Sequence, residues 1–422
     1  MITHADALVI GAGPSGASTA ILLATAGWRV LLVEQQVYPR QKVCGECLTA
    51  GSLALFDELG VGDAVLERAG PELTRVGWMS RARTIVADLP PCSAGPHRYG
   101  RALGRDLLDV LLLERARAAG VDILQPAKVR SVRGAAGHFE CEIEVCRDRS
   151  AGPARARTLL PIRAPIVIDA HGSWEGGPEG AIDAPPPPSR RDLRNSDLFG
   201  FKASFAAAAL PKGLLPVLSF SGGYGGMVLA EDGRLTLACC IRRDTLRECR
   251  ARNPGTSAGG AVEHYLRASC PAVQEVLRSA QRTGPWLAVG PLRPGIRIGQ
   301  RLGPLLVGNA AGETHPLIGE GINMALQSAF LLTRELVQQP VRAIGADRYR
   351  QIQGDYGHAW RSACAQRLRL AAGYAHLAML PAPSAAATAL LLRWPRMLTR
   401  AARWAGKARN PTLSSALCEG TP

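Results

Sequence analysis

The stretch DALVIGAGPSGASTAILLATAGWRVLLVEQ, residues 6–35, decides the fold. A short β-branched run, a glycine turn, an Ala/Leu-rich segment at helical spacing and a second apolar run make the pattern of a βαβ unit. In Gly11-x-Gly13-x-x-Gly16 the glycines permit a tight turn, close backbone approach to a pyrophosphate and tight helix–strand packing. Pro14 and Ser15 open the helix, whose N-terminus then faces the anion. Glu34 ends the second strand, with Gln35 beside it, at the place where an acid accepts hydrogen bonds from a ribose. The unit predicts dinucleotide binding.

FAD and nicotinamide cofactors use the same unit, and the later chain separates them. Residues 302–329, LGPLLVGNAAGETHPLIGEGINMALQSA, read as an apolar strand, a turn of small residues, a Pro-and-Gly loop and a helix starting near Gly321. The amides of such a helix start can face the flavin edge on which negative charge develops during reduction. Two separate helix starts of this kind point to FAD.

Length and composition agree with an enzyme. The 422 residues, 47% of them apolar, can fill two interleaved domains. The 11 cysteines are scattered and no charged-then-apolar leader precedes residue 7, so a cytoplasmic, reducing setting is expected. The net charge of +15 comes almost wholly from Arg spread along the chain, with no nucleic-acid motif, so no nucleic-acid partner is expected. One segment stands apart: ALLLRWPRMLTRAARWAGKAR, residues 389–409, mixes Leu and Trp with Arg and Lys. It reads either as a helix packed on its own domain or as a peripheral membrane contact, and an acidic carrier protein is a further partner for so basic a chain.

The N-terminal unit together with YPRQKVCGE, GRDLLDVLLLERARAAGVDI and GNAAGETHPLIGEGINMAL resembles the FAD-dependent oxidoreductases of the p-hydroxybenzoate hydroxylase fold. Within that fold it is similar to the geranylgeranyl reductase-like branch, which also holds flavin halogenases and natural-product monooxygenases. The resemblance runs over about residues 5–335. It implies an α/β chain: a Rossmann-like FAD-binding domain, an inserted antiparallel-sheet substrate domain and C-terminal helices. The expected divisions are 1–71, 97–183 and 286–340 for the FAD-binding domain, 72–96 and 184–285 for the substrate domain, and 341–422 for the helices. Residue by residue, it implies that Gly11, Gly13, Gly16 and Glu34 hold the ADP half, Arg40 and Arg105 sit beside FAD, and Val129 lies near the adenine. Asn309 replaces the family's acid at the ribityl chain, and Gly319, Gly321, Ile322 and Asn323 match the loop and helix start under the flavin ring. His171-Gly172 stands where the fold often has Asp-Gly, a departure that bears on how reduced nicotinamide is used.

Between about residues 190 and 285 the pattern changes to alternating segments with glycine turns at Gly222-Gly223, Gly225-Gly226 and Asp232-Gly233, which predict antiparallel strands. A proline run at 184–192 marks the crossing between domains. Phe201, Phe220, Tyr224 and Met227 are the candidate pocket residues, so the substrate is expected to be hydrophobic. His315 and Glu320, on the loop expected at the flavin's reacting end, are the first candidates for acid–base catalysis. The leading expectation is a monooxygenase acting on an aromatic or polyketide-like molecule in secondary metabolism, with NADPH or NADH as transient electron donor. Behind it stand reduction of C=C bonds in a prenyl or lipid substrate, then a halogenase or a non-catalytic FAD scaffold.

KVCGEC, residues 42–47, first looks like a thiol motif. Zinc lacks a second C-x-x-C or Cys/His pair, and no metal site is expected; a redox couple lacks its usual βαβ context. The resemblance matches Cys44-Gly45-Glu46 to a signature that passes beside the isoalloxazine, making Cys44 a candidate for flavin contact or catalysis and Gly45 part of the cofactor site, with Cys47 a packing neighbour.

Overall fold

Ala7–Ile10 and Val30–Val33 lie side by side as parallel strands in the computed structural model, which describes residues 4–81, 83–93, 95–146, 157–173, 193–299 and 303–403. The sheet they begin has the order Leu305–Leu306, Ile166–Asp169, Ala7–Ile10, Val30–Val33, Asp122–Leu124, parallel throughout. Its central strands are wholly buried, because helices cover the sheet and leave no face for polar alternation. Pro14–Thr25 packs against both Arg105–Ala118 and Gly321–Leu336, so the two helix starts read from the sequence are brought to one side of the sheet. A three-stranded antiparallel meander, Ala127–Ala135, His138–Cys146 and Arg157–Ala164, is attached to this domain.

The second layer is an eight-stranded sheet built on the antiparallel strands Leu214–Phe220, Gly223–Leu229, Leu235–Arg242 and Leu198–Ala206. Arg75–Met79 joins it by parallel pairing to Leu214–Phe220 and carries Thr84–Asp88 at the edge. Three features differ from the pattern expected of this region. Leu287–Leu292, assigned by sequence to the FAD-binding domain, pairs with Leu198–Ala206 and belongs to the substrate sheet. Arg243–Arg252, Ala258–Ser269 and Pro271–Val276 are helices, which cover the sheet face away from the flavoprotein domain. Gly225-Gly226 is not a turn but lies inside a strand, where a Cβ on Gly225 would come within 2.7 Å of the Ala238 carbonyl oxygen. The small residues there serve close strand approach rather than chain reversal.

The chain ends, as far as it is described, in a 34-residue helix, Ala346–Met379, followed by Pro381–Arg393 and Arg396–Ala402. The last two lean on the substrate sheet: Trp78 Nε1 donates to Thr388 Oγ1 at 3.0 Å and Thr399 Oγ1 to the Asp88 carbonyl at 2.8 Å. The proline run at 184–192, and the end of the basic segment at 404–409, lie outside the described residues.

Candidate active site

The glycine turn after Ala7–Ile10 is forced by sterics. Gly11 has φ +96°, and a Cβ on Gly16 would sit 1.9 Å from the Gly11 carbonyl oxygen. The helix Pro14–Thr25 starts with Gly13 and no side-chain cap, leaving first-turn N–H groups available to an anion. Two guanidiniums border the loop: a Cβ on Gly13 would be 3.7 Å from Arg105 Nη2 and 3.9 Å from Arg40 Nη2. Arg105 is fixed by two 2.8 Å bonds to the fully buried Asp109, which also lies 3.6 Å from Arg40. Arg40 stacks over the Tyr38 ring at 4.9 Å, and its buried Nε has no hydrogen-bond partner in the protein. Burial opposes these charges, and the surrounding Tyr38, Glu34 and Asp109 more than restore the Arg40 cation.

Glu34 is anchored by the loop it serves. Its carboxylate accepts from Ala12 N at 2.9 Å and Gln36 N at 2.8 Å, while Tyr38 Oη donates to the Ala12 carbonyl at 2.8 Å. A carboxylate has about four acceptor positions, so room is left for a ribose hydroxyl. Gln35 and Val129 stand on the same wall. Tyr38 and Asp109, which hold the two arginines, were not singled out from sequence; the Arg105/Asp109 spacing of four on a helix was the available signal.

The second helix start closes the far side. Gly308 has φ +61° and donates its N–H to Ser328 Oγ at 3.0 Å, turning the chain so that Asn309 borders the cavity. Asn309 Nδ2 is held by Ser173 Oγ at 2.7 Å. Gly319, at φ +62°, Gly321 and Ile322 border the same space, and a Cβ on Gly321 would meet nothing within 4 Å. Asn323 and Glu320 do not reach it. Glu320 is fully buried behind the loop, where it accepts from Asn323 Nδ2 at 2.8 Å and Arg367 Nη1 at 3.3 Å. His171 lines the cavity with its Nδ1 2.6 Å from Asp169 Oδ1.

One cavity of about 720 Å³ runs from the glycine loop past Cys44, Gly45 and Cys47 to an apolar arm. Tyr224, Trp78, Leu215 and Val217 border it; Phe201 and Met227 touch it from the sheet, but both belong to the core on the sheet's other face. Phe220 does not touch it. Side chains alternate along Leu214–Phe220, so Leu215 and Val217 face the cavity while Leu214, Leu218 and Phe220 enter the opposite core, where Phe220 meets Tyr265 edge-on at 6.0 Å. The arm is closed by Leu390, Leu391 and Leu398 of the last helices, residues that sequence reading treated only as part of a basic segment.

His315 sits just behind the wall and reaches it through Tyr224, whose Oη is 2.9 Å from His315 Nδ1. Burial, reinforced by nearby His376, pushes the His315 imidazole down to about 4. Burial likewise pushes the Tyr224 phenol well above its ordinary range. Both groups are therefore neutral near pH 7, and the 2.9 Å contact is a hydrogen bond between two uncharged groups.

Glu46 was missed as a residue with a job of its own. It is fully buried, adopts φ +57°, and binds Lys202 Nζ, Thr236 Oγ1 and, at 3.1 Å, the backbone N–H of Arg105. Arg234 Nη2 lies 3.5 Å from it. One carboxylate thus ties the Cys44–Cys47 loop, the Arg105 helix start and the substrate sheet together.

The uncapped glycine loop, the unpartnered Arg40 Nε and the room left beside Glu34 fit the diphosphate and ribose of FAD. Residues 4–172 match the FAD binding domain family. The protein is a flavoprotein of the p-hydroxybenzoate hydroxylase fold and an FAD-dependent oxidoreductase. Among relatives, it is 27% identical over 357 residues to a 6-methylpretetramide 4-monooxygenase of Streptomyces rimosus, covering 82% of this chain and 80% of that one. It is 25% identical over 349 residues to conditioned medium factor receptor 1 of Dictyostelium discoideum, covering 79% of this chain but only 63% of that longer protein. A geranylgeranyl bacteriochlorophyll reductase-like structure from Thermoplasma acidophilum superposes with a TM-score of 0.70 at 17% identity, over 99% of this chain and 96% of that one. At that identity the likeness concerns the fold alone.

Proposed function

We propose that the protein is a monooxygenase that places one atom of O2 into a hydrophobic, aromatic or polyketide-like small molecule of secondary metabolism. The reaction balances as substrate, O2, NAD(P)H and a proton giving oxygenated substrate, water and NAD(P)+. The observation that carries it is the continuity of the cavity: the dinucleotide loop and the apolar arm share one space, with Tyr224 on its wall. FAD, when bound, supplies hydride acceptance and oxygen activation. The chain's own residues do the rest. Trp78, Leu215, Val217 and Leu391 bind the apolar substrate and exclude water. Tyr224, kept as a neutral phenol, borders the cavity as a hydrogen-bonding group, and His315 orients that phenol from behind. The relative named as a monooxygenase, similar over most of both chains, supports this reading.

The test uses the FAD-loaded protein with NADPH or NADH and a panel of aromatic polyketides and isoprenoids under 18O2. Substrate-dependent NAD(P)H oxidation with one labelled oxygen in the product is expected. Saturation of a substrate C=C bond in the absence of oxygen would replace this reading with a reductase.

A further inference from the structure

Ten large apolar side chains are exposed among the described residues, and six of them fall in one short stretch: Leu377, Leu380, Leu390, Leu392, Trp394 and Met397. The helix Pro381–Arg393, sequence PAPSAAATALLLR, buries only Thr388 and carries no charge before its last residue. A surface helix of a soluble domain sets an apolar stripe inward and a polar face outward; this one turns Ala and Leu outward instead. Trp394 is 53% exposed and Leu392 51%, too much apolar area in one place for scattered surface residues.

The charge around this patch has one sign. Residues 356–403 contain seven Arg and not one Asp or Glu. Arg393, Arg396, Arg400 and Arg403 are all exposed beside the apolar residues. A symmetric contact with a second copy would set this arginine cluster against itself, with no acid to answer it. The complement is an anionic surface that also accepts Leu and Trp, which describes the headgroup boundary of a bilayer. No single helix among the described residues is long and apolar enough to cross a membrane; Ala346–Met379 and Pro381–Arg393 reach that length and composition only together, bent by 101°, and the first of them is packed into the fold along Tyr349, Tyr356, Trp360 and Cys364.

We infer that the C-terminal helices dock the protein on an anionic lipid surface through Leu392, Trp394 and the flanking arginines, with the mouth of the substrate cavity in the contact. Leu377, Leu390 and Met397 are exposed and at the same time line the cavity, so its opening lies within the patch. The docking is independent of the reaction proposed above, since it is read without turnover.

The experiment is flotation of the FAD-loaded protein with vesicles of phosphatidylcholine alone and of phosphatidylcholine with phosphatidylglycerol. Binding is expected only with phosphatidylglycerol and should weaken as salt is raised. Arg393→Gln and Arg396→Gln should each lower it about fivefold, and Leu392→Ser with Trp394→Ser about tenfold or more. None of these four residues lines the cavity, so the flavin spectrum and melting temperature should stay unchanged. Absence of vesicle binding, equal binding to both vesicles, or binding that ignores both salt and the four substitutions would overturn the inference. So would a self-associated species, or a complex with an acidic carrier protein, that Leu392→Ser and Trp394→Ser dissolve while vesicles fail to bind.

Discussion

The hydroxyl of Tyr224 and Nδ1 of His315 are 2.9 Å apart in a buried pocket, and His376, on the solvent side, faces the same imidazole edge-on at 6.4 Å between ring centroids. A phenol held neutral on a cavity wall, with a neutral imidazole behind it, is a fixed hydrogen-bonding group rather than a charge. Tyr224→Phe keeps the ring and removes the proton, so it should slow product formation in a single turnover about 100-fold while leaving FAD affinity unchanged. An unaltered single-turnover rate would remove Tyr224 from the chemistry.

His315 also links stability to pH. Its imidazole titrates near 4 in the folded protein because burial disfavours the cation, against about 6.5 when unfolded. The unfolded chain therefore binds the extra proton between those values, and stability rises with pH across the window. The contribution is fully present above about pH 6.5 and is lost as pH falls toward about 4, of the order of 3 kcal/mol in all. Melting temperatures of the protein and of His315→Gln, followed over that range, should converge as the pH falls.

FAD retention should depend on the glycine loop more sharply than on either arginine alone. Gly16→Ala drives a methyl group into the Gly11 carbonyl and should abolish FAD binding. Arg40→Met removes the unpartnered Nε but leaves Arg105 fixed on Asp109, so the dissociation constant should rise between about 10- and 100-fold. Flavin fluorescence titration measures both, with circular dichroism as the check on folding.

What the sequence revealed, and what it hid, follows from the range of the forces involved. Gly11, Gly13, Gly16 and Glu34 announce themselves because turn sterics and a βαβ unit are local and periodic. Cys44, Asn309 and Gly319 could be placed beside FAD only through the resemblance to a family, and the fold does bring them to one cavity. Phe201, Phe220 and Met227 read from the strand pattern as pocket residues, yet all three belong to the core on the far face of the sheet, because helices between 243 and 276 give it a second apolar face that its strand pattern did not disclose. Glu320 looked accessible on its loop but is buried against Arg367, a partner 47 residues away. Glu46 likewise gave no sign of its partners, which lie 156 and 190 residues further on at Lys202 and Thr236.

That last pairing makes the strongest stability prediction. Glu46 and Lys202 are both buried and hydrogen-bonded to each other, and removing one partner of such a pair costs about 3–5 kcal/mol because the other charge is left in a low-dielectric setting. The two single losses should not be equal. Glu46→Gln leaves Lys202 buried without its carboxylate, whereas Lys202→Met leaves Glu46 with Thr236, the Arg105 N–H and Arg234 still around it. Glu46→Gln should therefore be the more destabilising, and combining it with Lys202→Met should cost less than the sum by about 1–3 kcal/mol. Urea unfolding of the FAD-loaded single and double variants measures the coupling. Glu46 also holds the Cys44–Cys47 loop and the Arg105 helix start to the substrate sheet, so Glu46→Gln should shift the flavin absorption as well. Additive costs with an unmoved flavin spectrum would show that the carboxylate neither couples to Lys202 nor positions the loop.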